Sequence, residues 1–137
     1  MIVLDTHIWH WWVNQIQGKL ATETIALIEE TDEASVSAIS CFGMAWLVDH
    51  GRIDLNMSFE HWFSQIEHHT DIQILPVTAQ AGIRAVTLPE HHKDPQDRII
   101  IATALLYDAL LLSKRLGVPC LPRIRWPLTW TQLAADN

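Results

Sequence analysis

The chain of 137 residues has few of the features that mark several large classes of protein. Its two cysteines, Cys41 and Cys120, are too few for a disulfide framework, which favours a reducing, cytoplasmic setting. No apolar run approaches the roughly 18 residues needed to cross a bilayer, so no membrane role is expected. No basic region precedes the first apolar run, which argues against a signal peptide.

Positive charge is scarce in most of the chain. Residues 1–112 contain five Lys and Arg against fifteen Asp and Glu, a net charge of −10, whereas residues 113–137 carry +3. An acidic body argues against broad, nonspecific binding to nucleic acid. The tail combines arginine and tryptophan with Pro119, Pro122 and Pro127, a composition compatible with RNA contact, a surface strap or an oligomer contact.

The chain is rich in apolar residues arranged in short runs. Hydrophobic residues make up 49% of it, enough for one folded domain with a sizeable core. Apolar strand patterns at 1–4, 34–39, 71–77 and 109–112 alternate with helical patterns. This alternation predicts an α/β fold with right-handed crossovers and a central parallel sheet of about four strands.

Asp5 ends the first predicted strand at the point where the chain turns into a helix. Ligands of open α/β sheets bind beyond the carboxyl ends of the strands, which places Asp5 in the mouth of a site. A carboxylate there suits a hard cation. The other interpretation is that Asp5 only caps the helix that begins at Thr6, and this stretch alone favours neither.

A second acidic motif, Asp94-Pro95-Gln96-Asp97, opens the helix that leads into the last predicted strand. An N-cap at Asp94, a first-turn Pro95 and a favourable helix dipole at Asp97 would explain it structurally. Helix starts and strand ends share one edge of a parallel sheet, so the motif is also expected to meet Asp5 there. Two converging carboxylates can hold Mg²⁺ or Mn²⁺, which activates water and stabilises charge in phosphodiester hydrolysis.

Three stretches in this order resemble the PIN-domain family, and specifically its VapC-type toxins: Met1-Ile-Val-Leu-Asp-Thr-His-Ile-Trp9, Val36-Ser-Ala-Ile-Ser40 and Asp94-Pro-Gln-Asp-Arg-Ile-Ile-Ile-Ala-Thr-Ala104. The resemblance defines a PIN-like domain at 1–113 and a divergent tail at 114–137, packed on or extending from the same domain. It implies an α/β/α sandwich around a parallel sheet and Mg²⁺-dependent cleavage of RNA. It also implies a homodimer and inhibition by a small, VapB-like antitoxin.

The acidic site implied by the resemblance has four positions, of which this chain clearly fills two. Asp5 matches the first position, and Asp97 matches the third because it directly precedes Arg98 and the apolar run. The second position, normally Glu, is Gly43, and the fourth, normally Asp, is Arg115. Both changes are severe, because glycine offers no ligand and arginine places a positive charge near the cation.

Three further residues are candidates for lining this site. Thr6 and Ser113 match small hydroxyl positions of the family's site, although a helix cap and a turn would explain them equally well. Asp94 is a possible substitute for a missing carboxylate. Arg98 is expected to be a structural or rim cation.

The sequence therefore predicts a weakened, metal-dependent endoribonuclease toxin in which Asp5 and Asp97 are both the catalytic and the metal-binding residues. The alternative is a degenerate domain that dimerises and binds an antitoxin without cutting RNA, and Gly43 and Arg115 favour it. A phosphatase with Asp5 as nucleophile is disfavoured, because such a site expects an aspartate where His7 stands.

Overall fold

The computed structural model of the chain describes residues 1–89, 93–113 and the backbone of 123–124. Its elements, in chain order, are β1 (Ile2–Leu4), α1 (Thr6–Val13), α2 (Thr22–Glu30), β2 (Ala34–Ser37), α3 (Ala38–Asp49), α4 (Phe59–His69), β3 (Gln73–Leu75), α5 (Ala79–Val86), α6 (Pro95–Leu106), β4 (Leu110–Leu112) and β5 (Arg123–Ile124). In these ranges, no helix combines the length and the apolar character needed to span a bilayer. Apart from β5, the expectations for Arg115 and for the tail at 114–137 lie outside the described residues.

The described strands form one sheet in the order β3-β2-β1-β4-β5. β1 pairs in parallel with β2 and β4, and β2 pairs in parallel with β3. The predicted parallel sheet of about four strands is therefore confirmed. β5 adds an antiparallel edge strand. The sequence pattern does not predict it, because prolines interrupt the tail and leave no alternating run.

Successive side chains of β1 belong to two separate apolar cores. Ile2 and Leu4 pack in one core with Trp9 of α1, and α2, α3 and α4 also contribute to it. Val3, between them, packs in the other core with Ile100 of α6. Since side chains alternate across a strand, each face of the sheet is covered by helices. The expected α/β/α sandwich is confirmed.

The start of α3 corrects a boundary drawn from the sequence. The apolar run at 34–39 predicts a strand, with Ser40 as the N-cap of the helix that follows, but β2 already ends at Ser37. The Ser37 hydroxyl caps α3 by accepting a hydrogen bond from the Ile39 amide at 3.2 Å. Ser40 lies inside the first turn of α3, where its hydroxyl accepts a hydrogen bond from Thr6 at 3.1 Å. Two serines three residues apart are equally good caps by sequence, and the tertiary contact of Ser40 decides between them.

Candidate active site

A cleft of about 170 Å³ lies where the starts of α1 and α6 meet the middle of α3. The side chains and backbone that line it are Thr6, His7, Gly43, Trp46, Leu47, Asp94, Gln96 and Asp97. The cleft lies beyond the carboxyl end of β1, which is where ligands of open α/β sheets bind. The second acidic motif and the residues that directly follow Asp5 therefore line the same cleft.

Asp5 is built into the end of β1 and the start of α1. Its carboxylate oxygen Oδ1 accepts a hydrogen bond from the Ile8 amide at 2.8 Å, and its own amide donates to the Leu112 carbonyl at 3.0 Å. The residue is buried, with 4% of its surface exposed. Asp5 therefore does cap α1, which is compatible with either interpretation of this residue. Asp5 does not itself line the cleft, but its neighbour Thr6 does.

The two candidate hydroxyl residues lie at the same edge of the sheet as Asp5. Leu4 pairs with Leu112, so Asp5 and Ser113 leave β1 and β4 side by side. Ser113 is buried and does not line the cleft described here. Thr6 does line it, and the Thr6 hydroxyl donates to Ser40, which joins α1 to α3.

The Asp94–Asp97 motif has the structural role that its sequence predicts and also contributes to the cleft. Asp94 is the N-cap of α6, and its Oδ1 accepts a hydrogen bond from the Gln96 amide at 2.8 Å. Pro95 is the first helical residue, and Asp97 is the acidic residue of the first turn. Capping and cleft formation are therefore compatible, because Asp94 and Asp97 both line the cleft.

Gly43 is buried in α3 and forms part of the cleft wall. A Cβ atom added to Gly43 would lie 2.6 Å from Oε1 of Gln96 and 3.5 Å from the Thr6 side chain. The end of the Gln96 side chain thus occupies the space that a side chain at position 43 would need. Sequence reasoning missed Gln96, although its place between Asp94 and Asp97 is a usable signal.

Trp46 is a second residue that sequence reasoning did not place in the site. It lines the cleft with 43% of its surface exposed, and its ring stacks on His50 with 3.9 Å between centroids. The signal for it was its spacing, since residues three apart share a helix face and Trp46 follows Gly43 by three.

Arg98 was predicted to be a structural or a rim cation, and the structure gives it a structural role. Its guanidinium donates hydrogen bonds of 2.8–3.0 Å to carbonyls in the last turn of α5 and the segment after it, those of Ala85, Val86, Leu88 and Pro89. Arg98 lies one residue after Asp97, so these bonds attach the first turn of α6 to the end of α5.

The donor set suits an open cation site and does not suit a closed cage. The described residues contain no group of three or more His, Cys, Asp or Glu side chains that could hold a metal ion. Mg²⁺, however, usually takes one or two protein carboxylates and keeps several waters. Asp94 and Asp97, which both line the cleft, could supply these one or two carboxylates.

Comparisons with known proteins give a matching family, a relative of similar sequence and solved structures of similar fold. The PIN domain family matches residues 2–114. Ribonuclease VapC22 of Mycobacterium tuberculosis is 35% identical over 114 residues, which are 82% of this chain and 85% of that protein. A toxin–antitoxin complex from Klebsiella pneumoniae has a similar fold, with a TM-score of 0.59, 18% identity and coverage of 84% of this chain and 87% of that chain. The structure of FitAB bound to an IR36 DNA fragment gives a TM-score of 0.58, 19% identity and coverage of 84% and 85%.

Proposed function

The chain belongs to the PIN-domain family, and from this we propose that it is a VapC-like toxin that hydrolyses RNA phosphodiester bonds. The observation that carries the proposal is the cleft in which Asp97, Thr6 and Gly43 meet. These residues stand at, or directly beside, three of the four acidic positions that the family uses. The relative that shares 35% of its residues is named as a ribonuclease, which supports the same activity.

Asp5 and Asp97 are the residues proposed to hold the cation and to act in catalysis. Ribonucleases of this family generally depend on a divalent metal, and Mg²⁺ or Mn²⁺ is the ion proposed here. Such an ion activates water and stabilises the charge that develops on the phosphate. Asp97, in the first turn of α6, lines the cleft together with Thr6 and Asp94.

The proposed activity is weakened by the missing carboxylate at Gly43. Affinity for a hard cation depends on the number of charged ligands, so a site with fewer carboxylates binds it less tightly. The alternative function, an antitoxin-binding domain that has lost catalysis, draws its support from the same glycine. The retained Asp97 in the cleft favours the enzyme.

An antitoxin and a second copy of the chain are the proposed protein partners, and the cytoplasm is the proposed location. One of the structures with a similar fold is a toxin–antitoxin complex. The exposed apolar side chains of the described residues include Phe42 with Trp46 on α3, and Ile83 with Val86 on α5. Ile83 and Val86 are 69% and 78% exposed and lie three residues apart, so we assign the homodimer contact to α5.

The test is cleavage of a mixed RNA pool by the full chain with and without Mg²⁺ or Mn²⁺. Metal-dependent cleavage is expected from the unmodified chain and from the control Asp71→Asn, whose carboxylate is exposed outside the cleft. Cleavage is expected to disappear in Asp97→Asn. Cleavage that survives Asp97→Asn would contradict the proposed site. A chain that binds its antitoxin and cuts no RNA would establish the alternative function.

A further inference from the structure

Gly43 and Gln96 compete for one space in the wall of the cleft. The backbone of Gly43 does not require glycine, because it lies inside a regular helix and its φ is not positive. An added Cβ would lie 2.6 Å from Gln96 Oε1, closer than Cβ atoms in proteins approach other atoms, so the flexible Gln96 side chain would have to move. The position that Gln96 now has therefore depends on glycine at 43.

The atom at this position is the side-chain oxygen of Gln96, and it lies in the wall of the cleft that is proposed to hold the cation. The point where the Cβ of residue 43 would stand is 2.6 Å from Gln96 Oε1 and 3.5 Å from Thr6 Oγ1. Gln96 also shares the cleft with Asp94 and Asp97. Its backbone is held in the first turn of α6 by the hydrogen bond from its amide to Asp94.

Carbonyl oxygens are suitable ligands for Mg²⁺, Mn²⁺ and Ca²⁺, as carboxylates are. A carboxamide carries no net charge, so it can occupy a ligand position while it binds a cation less strongly than a carboxylate would. Gln96 thus has both the atom type and the location to act where the family's second carboxylate is missing.

We propose that the side-chain oxygen of Gln96 has replaced the lost second carboxylate as a neutral ligand for the cation held by Asp5 and Asp97. The role of Gln96 rests on the proposed function, because it concerns the cation of the same cleft. The competing explanation is that Gln96 only fills space beside Gly43, and methionine at 96 would fill that space without the oxygen.

The first experiment measures Mn²⁺ binding to the full chain, without RNA, from the electron paramagnetic resonance signal of free Mn²⁺. Gln96→Met is expected to weaken binding about tenfold, and Gln96→Glu to tighten it about tenfold, because ligand charge sets the affinity. The control is Gln80→Glu, which adds the same charge at an exposed position of α5. It is expected to change the affinity less than about twofold.

The second experiment tests the coupling between positions 43 and 96. Gly43→Ala places a Cβ against Oε1 and displaces the carboxamide, so it is expected to weaken Mn²⁺ binding about as much as Gln96→Met does. In a Gln96→Ala background, Gly43→Ala is expected to have no further effect on the affinity. Far-ultraviolet circular dichroism confirms that each variant is folded, as expected since alanine favours helix over glycine.

Three results would overturn this role of Gln96. One is that Gln96→Met binds Mn²⁺ as tightly as the unmodified chain does. Another is that Gln80→Glu tightens binding as much as Gln96→Glu does. An equal effect of Gly43→Ala in both backgrounds would also overturn it. If Asp97→Asn abolishes Mn²⁺ binding while Gln96→Met has no effect, only the role of Gln96 is contradicted. If neither the unmodified chain nor Gln96→Glu binds Mn²⁺, the proposed metal site is contradicted as well as the role of Gln96.

Discussion

Asp5 has a structural and a proposed catalytic role that two substitutions can separate. Its Oδ1 caps α1, and asparagine caps a helix about as well as aspartate. We expect Asp5→Asn to keep the free energy of unfolding within about 0.5 kcal/mol of the unmodified chain while it abolishes metal-dependent cleavage. Asp5→Ala is expected to lose the cleavage and also about 1 kcal/mol of stability.

Urea unfolding and RNA cleavage, measured on both Asp5 variants, check this separation. Equal destabilisation by Asp5→Asn and Asp5→Ala would contradict the capping role. Retained cleavage in Asp5→Asn would contradict the role of its charge.

We expect His10 to make the stability of the chain depend on pH. Burial, and then the nearby His7, lower the pKa of His10 from its usual 6.5. His10 Nδ1 lies 2.7 Å from the Asn14 side-chain nitrogen, so the neutral ring accepts a hydrogen bond that protonation would remove. The unfolded chain therefore binds this proton more readily than the folded chain does. Consequently, the contribution of His10 to stability is present above the unfolded pKa and is lost as the pH falls toward the folded pKa.

We expect His10→Gln to reduce the fall in Tm between about pH 7.5 and about pH 5.5, measured by calorimetry. The exposed His68, replaced by Gln, serves as the control and is expected to leave that fall unchanged. The same pH dependence in His10→Gln and in the unmodified chain would contradict this assignment.

Hydrogen bonds from Arg98 connect the start of α6 to the end of α5. Four carbonyl oxygens accept its hydrogen bonds, and a lysine ammonium cannot reproduce that planar fork. Arg98→Ala and Arg98→Lys are both expected to lower the free energy of unfolding by about 2 kcal/mol. Urea unfolding checks this, with Arg52→Lys at an exposed position as control. Full stability in Arg98→Lys would show that charge alone suffices.

Helix starts were predictable where the signal is local. Asp94 caps α6, as the sequence predicts, and Ser58 and Thr78, which are residue types that favour this position, cap α4 and α5. The start of α3 was placed wrongly, since the choice between Ser37 and Ser40 depends on a contact with Thr6, 34 residues away. Local chemistry thus sets most helix starts, and tertiary contacts decide the ambiguous ones.

The residues of the candidate site also divide into those that local sequence predicts and those that depend on tertiary contacts. The capping roles of Asp5 and Asp94 could be inferred, because each cap involves residues two or three positions along the chain. The contact of Gln96 with Gly43 joins α6 to α3 across 53 residues, and no spacing rule reports it. The lost carboxylate was visible from the family resemblance, but what fills its place was not.

For the whole molecule, the alternation of strand and helix patterns was enough to predict the parallel sheet and its two helix layers. The apolar run at residues 2–4 predicts a strand buried on both faces, and both cores do meet at β1. The antiparallel edge strand β5 was not predictable, since a strand of two residues carries almost no pattern.

The proposed homodimer can be tested by measuring the molar mass of the protein in solution. Ile83→Asp/Val86→Asp is expected to convert the dimer to a monomer, because it places charge in the exposed apolar surface of α5. Multi-angle light scattering gives the mass. The control Phe42→Asp changes the exposed surface of α3 and is expected to remain a dimer. A monomer from Phe42→Asp, with a dimer from the α5 variant, would contradict the assignment.

We propose that the chain is a PIN nuclease organised around Asp97, in which the second carboxylate of the family's site has been lost. The most direct measurement is the rate of divalent-metal-dependent RNA cleavage by Gly43→Glu/Gln96→Ala beside the unmodified chain. Alanine at 96 clears the space that a side chain at 43 needs. The restored variant is expected to cut about tenfold faster, and Asp97→Asn is expected to abolish cleavage in both backgrounds. Cleavage by neither chain, or cleavage that persists with Asp97→Asn, would contradict the claim.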